Sequence, residues 1–183
     1  MAIIITIMVL ELTPPHEATL DGLRALDSVF LSYVLSFVYV GIYWNNHHHL
    51  FQVAHIVNGR VLWANLHLLF WLSLIPFTTI WMGETDFAGT PVALYGSALL
   101  AAAFAYSLLV RALIGANGND SAIATAIGSD RKGYVTLALY VVALPLTYVS
   151  SWAAFALYVA VAAMWFVPDR RIARVMGELP DVH

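Results

Sequence analysis

The sequence contains no cysteine. That removes disulfide frameworks, thiolate zinc sites, iron–sulfur clusters and cysteine nucleophiles together, so any metal chemistry has to rest on histidine and carboxylates. Charge is nearly as scarce: 10% of the 183 residues are charged, against about 25% in an ordinary globular domain. Eight basic residues stand against eleven acids, for a net charge of -3. No cationic stripe is left to neutralise phosphates, which argues against nucleic acid as a partner. Gly-x-Ser-x-Gly elbows and phosphate-binding glycine loops are missing too. What is present is apolar, 61% of the chain with a mean hydropathy of +0.80. A chain this poor in charge cannot coat itself for water, and lipid is the expected solvent for most of its surface.

A bilayer core about 30 Å thick takes roughly 20 apolar residues per helix. Five runs approach that length: 25–44, 61–82, 91–114, 133–150 and 152–167. A sixth, 1–12, is short. Turn chemistry separates them, as in Thr13-Pro14-Pro15, Asn58-Gly59-Arg60, Gly83-Glu84-Thr85-Asp86 and Gly115-Ala116-Asn117-Gly118-Asn119-Asp120. Arg60, Arg111, Arg131, Lys132, Arg170, Arg171 and Arg174 fall in alternate connections and the C-terminal tail, and Arg24 alone falls opposite. The opposite loops carry Glu17, Asp21, Glu84 and Asp86. The positive-inside rule then gives one all-α domain over 1–183 with six crossings and both termini cytoplasmic. The short first run lacks the cationic start of a signal peptide. It is expected to be the outer half of a spanning helix whose inner half is missing from this sequence.

Within the first run, Ile3, Thr6 or Ile7, and Leu10 share one helical face. Such a stripe suits packing or lipid contact, and it also permits an apolar lining if several copies meet around an axis. In the second run Ser32, Ser36 and Tyr39 or Tyr43 recur at helical spacing, and Gly41 is expected to admit a neighbouring helix. Asp27 lies near the outer end, where an acid can attract cations or bond to nearby backbone. His47-His48-His49, with His55 and His67, invites comparison with membrane di-iron enzymes. Adjacent residues point about 100° apart on a helix, however, so three in a row cannot all face one ion. A hydrogen-bonding role at the inner end is the better expectation, with Asn65 and His67 as partners. Pro76 and Pro145 are placed to kink their helices.

The stretch Ala2-Ile3-Ile4-Ile5-Thr6-Ile7-Met8-Val9-Leu10-Glu11-Leu12, followed by Gly41-Ile42-Tyr43-Trp44-Asn45-Asn46-His47-His48-x-Leu50-Phe51, resembles the transmembrane protein 175 family of potassium channels in its single-repeat prokaryotic form. The resemblance implies a homotetramer around a pore lined by the first helix of each subunit, without the carbonyl-lined filter loop of ordinary potassium channels. By the same resemblance the constriction falls on Ile3, Ile7 and Leu10, and the hydroxyl layer on Thr6. Trp44, His47, His48, Asn65 and His67 would form a network at the inner end. The family's Arg-x-x-x-Phe-Ser-Asp motif, which those histidines would anchor, does not occur in this sequence.

The expectation is therefore a passive, potassium-permeable channel of the bacterial inner membrane, neither an enzyme nor a cofactor binder, whose partners are the bilayer, potassium ions and its own copies. Three alternatives stand beside it: a proton-leak or proton-coupled permease working through Asp27 and the histidines, a histidine-dependent membrane oxidoreductase, and a structural subunit.

Overall fold

A computed structural model describes residues 2–10, 12–15, 18–119, 121–127 and 130–166. Glu17, Arg170, Arg171 and Arg174 of the charge argument lie outside the described residues, as do Met1 and Val167 at the ends of two expected runs. Every regular element described is helical: α1 (Ala2–Leu10), α2 (Leu20–Arg24), α3 (Asp27–Gln52), α4 (Gly59–Ser73), α5 (Ile75–Glu84), α6 (Gly89–Asn117), α7 (Ala122–Ile127), α8 (Arg131–Leu146) and α9 (Ser151–Phe166).

Starts and stops follow local chemistry. Asn58 caps α4, its Oδ1 accepting from the amides of Arg60 and Val61 at 3.1 Å, and Asp130 caps α8 by accepting from the Gly133 amide at 2.9 Å. Helices α4 and α5 form one rod interrupted at Leu74, which keeps right-handed helical backbone (φ -85, ψ -13). The interruption comes from Pro76, which has no amide hydrogen to offer the Leu72 carbonyl one turn back. Between α5 and α6 the chain reverses through Asp86 (φ 46) and Phe87 (φ 58). Left-handed backbone is costly for both side chains. Burial of the Phe87 ring against Trp152 and Phe155, each with ring centroids 4.6 Å away, offsets that cost.

Three rods are long and apolar enough to cross a membrane: Asp27–Gln52, Gly59–Glu84 and Gly89–Asn117. The third spans about 43 Å at 1.5 Å per residue. Helix α6 is the centre of the bundle, flanked by α4, α5 and α8, while α3 lies along α5 and α9 along α8. With no water to drive helices together inside lipid, close approach depends on small residues and on polar pairs. Gly83 sits so near Val29 of α3 that a Cβ there would stand 2.7 Å from the Val29 Cα. Gly96 leaves the space taken by the buried Tyr158 hydroxyl. Gly41, expected to play this part, has nothing of its own chain within 4 Å of a Cβ position. It occupies a face of α3 that no other helix of the subunit approaches. The polar pairs are buried: Thr79 donates to Ser36 at 2.6 Å, Ser36 to the Tyr95 hydroxyl at 3.0 Å, and Tyr39 to the Tyr158 carbonyl at 2.6 Å.

The two ends of the bundle differ in charge. One end gathers the start of α3 and the turn after α5, where the Ser28 hydroxyl donates to Asp86 at 2.8 Å. Asp27, Glu84 and Asp86 stand there. At the other end lie the close of α3 and the starts of α4 and α8, with Arg60, Arg131 and Lys132.

Candidate functional site

Helix α1 lies against α3 and α5 and has two faces. Ile4 and Met8, one turn apart, are 8% and 3% exposed and belong to the subunit core. Ile3, Ile7 and Leu10 point away from the subunit and are 73%, 42% and 80% exposed. Thr6 is exposed on the same side, and its hydroxyl donates to the Ile3 carbonyl at 2.9 Å. That bond consumes the hydroxyl hydrogen and leaves the oxygen lone pairs as the free part of the group. The outer face of α1 is thus a greasy strip broken by one oxygen, held in place by two buried anchors. Reading the strip from the sequence left Ile4 and Met8 unnoticed, because in a run of nine apolar residues every face looks alike.

At the opposite end of α3 the histidines separate. His47 Nε2 pairs with Asn65 Oδ1 of α4 at 2.6 Å, and the His47 ring lies 4.7 Å from Phe51. His48 stacks on Trp44, with centroids 5.6 Å apart and planes 7° apart. His67 instead accepts from the Trp71 indole of its own helix at 2.9 Å. Trp44, His47, His48 and Asn65 are therefore brought to one place and His67 is joined to a separate pair. Among the described residues no group of three or more His, Asp or Glu side chains is arranged to hold a metal ion. Asp27 is exposed at the first turn of α3, twenty positions and about 30 Å from His47 along the helix.

One polar residue at this end escaped the sequence reading. Asn117 Oδ1 accepts from the His55 and Ile56 amides at 2.9 and 2.8 Å, and its Nδ2 donates to the Ile56 carbonyl at 3.0 Å. The side chain clamps the α3–α4 connection to the end of α6. Its setting, Gly115-Ala116-Asn117-Gly118-Asn119, reads as an ordinary turn, and only tertiary contact reveals the clamp.

A bundle of apolar helices with buried polar pairs and an outward-facing apolar first helix defines an integral membrane protein. Comparison with known proteins makes this specific. A family model described as the endosomal/lysosomal potassium channel TMEM175 matches residues 1–76. A potassium channel of Chryseobacterium sp. (strain P1-3) is 47% identical over 178 residues, covering 97% of this chain and 93% of the relative. A potassium channel of Streptomyces collinus is 31% identical over 59% of this chain and 56% of its own. The fold matches the crystal structure of a lysosomal potassium-selective channel TMEM175 homolog from Chamaesiphon minutus, with a TM-score of 0.76 at 22% identity over 93% of this chain and 91% of that one. The chain belongs to the TMEM175 family.

Proposed function

We propose that this protein is a potassium-permeable channel of the bacterial inner membrane, assembled as a homotetramer in which α1 of each subunit lines a central pore. Six crossings with both termini cytoplasmic place the arginine-bearing end of the bundle inside. Ile3, Ile7 and Leu10 form the constriction, and four Thr6 oxygens replace part of the ion's hydration shell between the apolar rings. Conduction is passive, with neither catalysis nor a cofactor. The observation that carries this reading is the pairing of close similarity to a potassium channel along nearly the whole chain with an α1 strip that its own subunit leaves uncovered.

The proton-relay alternative has less support. The histidines are committed to Asn65, Trp44 and Trp71, and no chain of hydrogen bonds among the described residues links them to Asp27. Recording from reconstituted protein under opposed potassium and sodium gradients tests the proposal. A reversal potential near that of potassium, with conductance altered by Ile3→Asn or Leu10→Asn, is the expected result. Conductance indifferent to both substitutions would remove the pore assignment.

A further inference from the structure

Between α3, α6, α8 and α9, where α8 begins and α9 finishes, the helices leave a partly open cavity of about 40 Å³. It shares no residue with the outer strip of α1. Its walls include the rings of Tyr43, Tyr106 and Trp165, and beside them stand Asn46 and Asp130. Tyr43 and Tyr106 meet edge to face with centroids 6.1 Å apart.

The chemistry of this lining has one sign. Aromatic faces present negative potential, and Asp130 adds a carboxylate in the first turn of α8. Asn46 spends its donor on the Ile42 carbonyl at 2.9 Å, which leaves Oδ1 as the acceptor. The Asp130 carboxylate uses Oδ1 for the Gly133 amide and retains further lone pairs. Trp165 commits its indole hydrogen to Thr136 at 2.8 Å, so what it offers the cavity is ring surface. An acceptor-rich, aromatic recess suits a cation. The space is about three times what one water-sized probe occupies, room for a group of a few heavy atoms. A bare metal ion would leave the aromatic walls without a partner, and a quaternary ammonium has no hydrogens to give Asn46 or Asp130. An alkylammonium supplies both an apolar stem and three donors.

We propose that this cavity binds a primary alkylammonium group, its head on Asp130 and Asn46 and its carbon stem between the rings of Tyr43, Tyr106 and Trp165. The same chemistry is carried by a free amine and by an ethanolamine lipid headgroup. The chain's own nearby ammonium, Lys132 Nζ, stands 6.0 Å from the Trp165 centroid, and Lys132 is not part of the lining.

The test uses the full chain in phosphatidylglycerol vesicles and measures ethylammonium binding by equilibrium dialysis. Saturable binding of one ethylammonium per chain is expected. Asp130→Asn keeps a residue that caps helices as well as aspartate does while removing the charge, and is expected to weaken binding about tenfold or more. Tyr106→Leu, which removes a wall without touching a cap, is expected to weaken it as well, and tetramethylammonium should bind less tightly than ethylammonium. Adding phosphatidylethanolamine to the vesicles separates the sources: loss of ethylammonium binding identifies the lipid headgroup as occupant, and unchanged binding identifies a free amine. The proposal is overturned by absence of saturable binding, by equal affinity in both variants, or by displacement with equimolar potassium. Binding that emerges only in Lys132→Gln would also overturn it, by showing that the chain's own lysine fills the site.

Discussion

At the scale of single residues, the bundle depends on a few positions where a side chain of the wrong size or polarity has nowhere to go. Gly96 is the clearest, since an added methyl group would meet the Tyr158 hydroxyl, which itself lies 3.4 Å from the Val92 carbonyl in a fully buried setting. Overpacking of this kind costs about 1–3 kcal/mol. Gly96→Ala is expected to lower the midpoint of thermal unfolding in detergent, and the added change Tyr158→Phe to restore part of the loss by deleting the obstructing oxygen. Failure of the second change to restore anything would place the damage elsewhere. Asn117 makes a different demand, because it replaces three backbone partners that the α3–α4 connection lacks. For Asn117→Ala, amide hydrogen exchange at His55 and Ile56 should accelerate by about tenfold or more. Asn117→Asp keeps the acceptor and loses only the donor, so its exchange should fall between the two.

At the scale of elements, α1 separates stability from conduction. Ile4 and Met8 are buried against the subunit and Ile3 and Leu10 are not, so truncating the first pair and the second pair should have different consequences. Met8→Ala is expected to cost about 2 kcal/mol, read as a lower unfolding midpoint. Leu10→Ser is expected to leave that midpoint nearly unchanged and to alter single-channel conductance. The same contrast explains what could be read in advance. The periodicity of Ile3, Ile7 and Leu10 was visible in the sequence, as were the long apolar rods, because both are properties of one helix. Which side of α1 meets α3 and α5 is a property of three helices and has no signature in so uniform a run. Gly41 and Gly96 illustrate the point at helix contacts. Each is a glycine within a long apolar helix, yet only Gly96 has a tyrosine from α9 pressed against it. The His47–Asn65 bond was accessible because a polar pair at the ends of two consecutive helices has few other partners. His67 differed because Trp71, one turn along its own helix, competes for it at no cost in chain closure.

At the scale of the whole molecule, the proposed assembly rests on symmetry. A single subunit exposes the α1 strip, and a rotational axis would convert four such strips into one throat. The lack of native cysteine makes this directly measurable, since any introduced thiol is the only one in the chain. In the proposed tetramer the four copies of residue 10 surround a narrow axis, close enough for a bond that requires β-carbons about 4 Å apart. Mild oxidation of Leu10→Cys in native-like vesicles is therefore expected to give covalent dimers and nothing larger, because each thiol can pair only once. Ile4→Cys provides the control on the same helix. Its side chain is turned into its own subunit, so the thiol should remain monomeric under the same oxidant. If Leu10→Cys were to cross-link no faster than Ile4→Cys, the exposed strip would be facing acyl chains instead of its own copies. The channel would then need another path for its ion.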